Sequence, residues 1–420
     1  MKNRETTSPT CRRVSKSKMR LGKRADSGDE TRRKKEKENM PGPLEGIRIL
    51  SFARNLAGPY CTMILCDLGA EVIKIEEPGK GDTARFIGPH IKGISSYFLS
   101  INRGSRSIAL NLREDKAKEA VFKLVDQVDI VVENFRPGVM KRLGFGYESV
   151  SARNPKIIYA SISGFGQSGP YSAKPAYDMI AQGMGGTVSI TGEPGRPPVR
   201  VGFSTGDIGA GLFTATAILA ALHESKKSGK GQWIDVAMVD CQVAFCENAC
   251  ARYFATGEIP KPLGTRHPLL TPFQAFPTKD GYMVLITVSE EDWQKFCKLT
   301  GKEDLISDPR FQGHPARIEN YSVFEPLMNE LMKTRTTAEW LALLEPAGIM
   351  CAPVNNIAQV VNDPHILARE MVVEVEHPRA GKLKVAGTPM KFSRTPCKIQ
   401  KACPDVGQDT EEILKNLGMQ

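Results

Sequence analysis

A chain of 420 residues, 41% apolar and 25% charged, has the balance of a soluble globular protein and the length for two or three domains around a large core. The net charge of +10 sits mostly at one end: residues 1–40 carry 14 Lys/Arg against 6 Asp/Glu, and the other 380 carry 43 against 41. The body is thus nearly neutral and shows no electrostatic footprint for nucleic acid.

Residues 1–40, rich in Lys, Arg, Ser and Thr, read as a disordered basic extension ahead of the fold. A transit peptide or a nucleic-acid arm is the alternative, and Asp26, Asp29, Glu30, Glu36 and Glu38 count against the transit peptide. No apolar segment opens the chain, so the expected location is cytoplasmic, or the mitochondrial matrix if the extension is a transit peptide. Ten scattered cysteines without C-x-x-C pairs suggest reduced thiols.

From Leu44 the pattern is α/β. Ile47–Phe52 reads as a strand, Ala53–Pro59 as a loop, Tyr60–Leu68 as a helix closed by Gly69, and Glu71–Glu76 as a second strand. Strands follow at Ser107–Leu112, Asp129–Val132 and Lys156–Ser161, with an amphipathic helix at Glu114–Gln127. The alternation predicts a mostly parallel sheet with ligands at the carboxyl ends of its strands. The longest apolar stretch, Ile208–Leu222, is short of the ~18 residues of a membrane span and reads as a buried helix, so no membrane is expected. A smaller α+β domain is expected over 256–365, with a strand at Tyr282–Thr287 and helices at Glu290–Leu299 and Thr337–Leu344. The large domain takes 41–255, and 366–420 returns to it through a hairpin (Met371–Glu376, Lys382–Val385) and a short helix at Thr410–Leu417.

There is no GxxxxGK[ST] phosphate loop and no paired histidines, so no metal site is expected. Gly202-Phe-Ser204-Thr-Gly206 fits the three fixed positions of a serine elbow, with His267 and His365 downstream as partners for a triad. Asp207 follows and reads from residue type as a helix N-cap. Flanking Gly206, Gly209 and Gly211 would leave its carboxylate open, with helix N–H groups beside it for an oxyanion, which suits attack on a thioester. Glu133-Asn134-Phe135-Arg136-Pro137-Gly138, followed by Arg142, comes just after a strand: the arginines suit phosphates and Phe135 a flat ring, or else the stretch is simply a helix start.

Together these stretches resemble the class III CoA-transferases, the family of the formyl-CoA, crotonobetainyl-CoA and bile-acid CoA-transferases. The matching blocks run in order: PLEGIRIL (43–50), LAGPYCTMILCDLGAEVIKIEEPGKGD (56–82), NRGSRSIALNL (102–112), VVENFRPGVMKRLGFGYE (131–148), IIYASISGFGQSGP (157–170), GDIGAG (206–211) and KSGKGQWIDVAMVD (227–240). The resemblance implies a large Rossmann-like domain built from both chain ends, a smaller inserted domain, and an interlinked homodimer. It implies transfer of coenzyme A between carboxylic acids with Asp207 as nucleophile, coenzyme A as substrate, and no tightly bound cofactor. Leu56, Ala57, Leu110, Asn134, Phe135, Arg136, Arg142, Tyr177 and Asp178 match positions that contact coenzyme A.

The family is similar to α-methylacyl-CoA racemases, in which a GHD motif supplies a histidine base. Here that motif reads Ala176-Tyr177-Asp178, and a phenol, with an ordinary pKa of ~10, is a poor base at neutral pH, which favours transferase over racemase. A non-catalytic CoA-binding protein is the remaining alternative. The glycine run of the formyl-CoA enzymes has no counterpart around Gly264-Thr-Arg266-His267, a departure from the formyl/oxalate pattern. His377-Pro-Arg-Ala-Gly-Lys-Leu resembles members that use succinyl-CoA and dicarboxylates.

Overall fold

A computed structural model of the chain describes residues 40–399 and 401–419; the basic extension, up to Asn39, lies outside them. Its first strands are β1 (Arg48–Ser51) and β2 (Glu71–Glu76), followed by a two-residue hairpin of β3 (His90–Ile91) and β4 (Ile94–Ser95). Then come β5 (Arg106–Ala109), β6 (Ile130–Glu133), β7 (Ile158–Ser163) and β8 (Gln232–Ala237). Six of these form one sheet in the order β5-β2-β1-β6-β7-β8, every pairing parallel. Counted along the chain this is 3-2-1-4-5-6, the order of the doubly wound dinucleotide-binding folds, and the direction of winding reverses between β1 and β6.

Both faces of the sheet are covered, which is why its inner strands read as continuous apolar runs. Alternate residues feed two cores: Ile49, Val72, Ile130 and Val132 pack with the helices Ala57–Asp67 and Thr205–Ser228. Leu50, Ile73, Ile108 and Val131 pack with the helix Asp115–Val125. The C-terminal segment closes this second layer. Asp409 accepts from Ser107 N at 2.8 Å, Thr410 Oγ1 from Ala109 N at 2.9 Å, and Ile413, Leu417 and Met419 join the core.

Several boundaries differ from the sequence reading, two of them by three residues. The helix after β1 begins at Ala57 rather than Tyr60, because Pro59 sits in its first turn, where its missing N–H would have no intrahelical partner. The strand expected over Ser107–Leu112 ends at Ala109, although Leu110 N still bonds Glu76 O at 2.9 Å. β8 carried no apolar run because it lies at one edge of the sheet, and most of it is exposed or half-buried.

The helix Thr205–Ser228 is 24 residues, longer than the apolar stretch that announced it. By length and composition it could cross a membrane, but half of its most apolar window is buried inside the molecule. Gly211 permits this burial: a Cβ there would stand 2.8 Å from Ala57 O and 3.3 Å from Cys61 N, so only glycine lets the two helices cross so closely.

Farther on, β9 (Phe273–Pro277), β10 (Tyr282–Ile286) and β11 (Met350–Pro353) form an antiparallel sheet in the order β11-β10-β9. It packs with the helices Glu290–Thr300, Tyr321–Met332 and Thr337–Leu344 around a core of its own, formed by Trp293, Phe296, Phe311, Phe324 and Trp340. The hairpin β12 (Val372–His377) and β13 (Gly381–Ala386) follows as expected.

Candidate active site

The carboxyl ends of β1 and β6 open into a cavity of about 240 Å³. Asn55, Leu56 and Ala57 come from the loop and helix start after β1, and Asn134, Phe135 and Arg136 from the turn after β6. Ser163 and Gly164 follow β7, Tyr97 and Tyr177 face in from flanking segments, and Asp207 supplies the acid. This is where a sheet wound in opposite directions leaves its crevice.

Asp207 is not the N-cap expected from residue type. The cap position belongs to Ser204, and Asp207 is the third residue of the helix. Burial first, then the neighbouring Asp178 charge, push its carboxyl up to about 7, against the pull of Arg200. Asp178 is buried, accepts from Gln182 Nε2 and from Gly206 N, both at 2.8 Å, and lies 3.5 Å from Arg200 Nη2. The Gly206 N–H is therefore already taken, which removes it from the expected oxyanion donors. Gly209 also has another job than steric access: a Cβ there would stand 2.6 Å from the Phe245 ring, so the glycine lets the helix Met238–Phe245 pack close.

The side chain of Asn134 is committed to the protein. It accepts from Arg54 N and donates to Arg54 O, both at 2.8 Å, tying the two loops of the crevice together. The Arg54 guanidinium stands 5.1 Å from the Phe135 ring. Glu133 lies beneath, buried, accepting from Phe135 N at 2.9 Å; burial lifts its carboxyl to about 7. Arg136 is exposed at the cavity wall. Tyr177 also lines the cavity and is 74% exposed.

Three expected contacts are not brought to the cavity wall. Leu110 packs in the core with Phe52 and Ile108. Arg142 is exposed on the next helical turn, beside Gly138. Asp178 is buried and does not line the cavity. No hydrogen bond joins Ser204 to His267 or His365 among the described residues. Ser204 Oγ accepts from Arg200 Nη2 at 3.0 Å, while His267 stacks on Phe273 and its Nδ1 accepts from Leu269 N and Leu270 N.

Several residues here escaped the sequence reading. Burial and the charges of Asp207, Asp82 and Asp178 push the Tyr97 phenol up to about 12, so near neutral pH it is a hydrogen-bond donor at the cavity wall. Ser163 Oγ is buried without a partner among the described residues, and Lys174 stands at the rim with Nζ 3.8 Å from the Tyr171 ring. Their signals were weak, since each sits in a stretch that also reads as ordinary helix, strand end or loop.

Comparison with known proteins gives a consistent result. Residues 44–410 match the family model described as CoA-transferase family III. Human succinyl-CoA:glutarate CoA-transferase is 38% identical over 376 residues, covering 89% of this chain and 86% of that protein. The acetyl-CoA:oxalate CoA-transferase of Acetobacter aceti is 39% identical over 353 residues, covering 84% and 90%. Among solved structures, a CAIB/BAIF family protein from Brucella suis superposes with a TM-score of 0.82 at 37% identity, covering 90% of this chain and all of that one.

Proposed function

Since the chain belongs to CoA-transferase family III and moves coenzyme A between carboxylic acids, we propose that Asp207 is the nucleophile and that the crevice between β1 and β6 receives coenzyme A. What carries this reading is the place of Asp207: a half-buried carboxylate in the wall of the switch-point cavity, with no hydrogen-bonded or ion-paired side chain among the described residues. Loss of hydration leaves a more basic and more reactive carboxylate.

In this reading the Asp207 carboxylate adds to the donor thioester carbonyl, the C–S bond breaks, and coenzyme A leaves as thiolate. A mixed anhydride of Asp207 and the donor acid remains. The thiolate then attacks the aspartyl carbonyl carbon, releasing the donor as carboxylate and forming an Asp207–CoA thioester. The acceptor carboxylate attacks that thioester and expels the thiolate. Finally the thiolate takes the acceptor acyl group from the second anhydride and frees Asp207. No bond energy is discarded, so no nucleoside triphosphate is required. Tyr97 is placed to donate to the oxyanion of an adduct at Asp207.

Asp207→Ala is expected to lower transfer by on the order of 10³-fold or more with a melting temperature no lower than the parent's. Hydroxylamine should trap a hydroxamate on Asp207 of the unsubstituted enzyme given acyl-CoA. Full transfer by the variant would sink the assignment. Exchange of solvent deuterium into the donor's α-carbon without an acceptor acid would point to a racemase instead. Binding of acyl-CoA with no hydroxamate formed would point to a CoA-binding protein without turnover. Short dicarboxylates are the first acceptors to test, because the succinyl-CoA:glutarate enzyme and the succinyl-CoA:mesaconate enzyme of Haloarcula marismortui are both about this similar.

The same reading covers organisation: a large domain over 41–255 and 366–420, a small one over 256–365, and a homodimer. The separate core around Trp293 supports the division. Exposed Leu212, Phe213 and Phe245, the two rings 5.9 Å apart, offer apolar area that a second copy would cover. Light scattering should give the mass of two chains; a monomer at micromolar concentration would refute the dimer.

A further inference from the structure

Lys74 stands in the middle of β2, among apolar residues, with a side chain only 2% exposed. A lysine ammonium is tolerated there only when its charge and donors are matched. Its Nζ donates to Ala53 O at 2.6 Å and lies 2.8 Å from Oδ2 of Asp82, whose side chain is fully buried. The other oxygen of Asp82 accepts from Asn55 N at 3.1 Å and from Ala84 N at 3.0 Å. Asn55 adopts φ = 59°, a left-handed conformation that an asparagine takes at some cost and keeps when its neighbours hold it. Its Oδ1 accepts from Thr83 Oγ1 at 2.6 Å.

This pair therefore fastens the carbonyl of Ala53 and the amide of Asn55. Between them lies Arg54, whose amide and carbonyl are both held by Asn134. Four backbone groups in three consecutive residues are thus fixed from two sides of the crevice. The chain that leaves this clamp, Asn55–Leu56–Ala57, forms the cavity wall facing Asp207.

We propose that Lys74 and Asp82 are a positioning pair for coenzyme A transfer, holding Ala53–Ala57 in the backbone conformation that receives the coenzyme A part of the substrate. Neither touches a reacting atom. The inference rests on coenzyme A occupying this cavity. Stability alone does not call for such a pair, since well-packed apolar residues commonly serve as well in its place.

The test is the double variant Lys74→Met/Asp82→Asn. Either single substitution strands a buried partner and mixes folding with function, whereas the double one removes both charges at similar volume. It also keeps an acceptor for Asn55 N while removing the donor to Ala53 O. The expected result is a melting temperature within a few degrees of the parent and coenzyme A affinity about tenfold weaker by calorimetry. KM for acyl-CoA should rise while KM for the acceptor acid stays put, and amide exchange at Asn55–Ala57 should speed up. Parental coenzyme A affinity in the double variant overturns the positioning role, and so does an equal rise of both KM values. If the unsubstituted enzyme binds no coenzyme A, the reading of the cavity itself fails, and this proposal with it.

Discussion

Around Trp293 the buried side chains are nearly all apolar: Phe276, Phe296, Phe311, Phe324, Met328 and Trp340 interlock, and a buried cation, Arg317, is spent on Glu290 and the carbonyls of Thr271 and Phe311. At the carboxyl edge of the parallel sheet the pattern is the opposite. Lys74, Glu76, Asp82 and Glu133 are buried in or just beyond β2 and β6, and their partners are loop amides, a loop carbonyl, the Arg85 guanidinium and one another. Aromatic packing makes a stable body cheaply, because apolar burial has no directional demands. Buried charge is costly and directional, and here it is concentrated where loops must hold one shape around a cavity.

That contrast predicts separable losses. The largest is the loss of transfer in Asp207→Ala, with stability kept. Next comes Phe324→Ala in the small region. Its ring contacts Trp293 and Phe311, each at 5.7 Å between centroids, so its removal should cost about 3–5 kcal/mol in chemical denaturation. Transfer per folded molecule should stay near the parental value. A comparable loss of kcat in the folded fraction would break the division between body and site.

The smallest effect concerns the charge of Asp207 itself. Burial raises its carboxyl from the ordinary 3.8 to about 7, so the folded chain holds this proton more tightly than the unfolded one. Its contribution is therefore present below about pH 4 and is lost as pH rises to about 7. Asp207→Asn should equal the parent near pH 4 and exceed it at pH 8 by on the order of 1–2 kcal/mol. Transfer by the parent should rise with pH through the same window, as the carboxylate forms. A variant no more stable than its parent at pH 8 would mean that the site charge is not strained.

The sequence by itself determined five of the six parallel strands, their alternation with helices, and the family, because runs of apolar residues and ordered motif blocks are local and survive without coordinates. It also singled out Asp207, through the Gly-Asp pair ahead of an apolar helix. Only the tertiary structure decided what the surrounding residues do. Gly206 and Gly209 looked like room for a substrate, and they are room for Asp178 and Phe245. Asn134 lines the cavity, yet its amide is spent on Arg54, eighty residues away in the chain. Lys74, hidden in an apolar strand, implies a buried partner. Its role depends on Asp82 and Ala53 meeting it in space, and contacts between distant segments leave no periodicity to read.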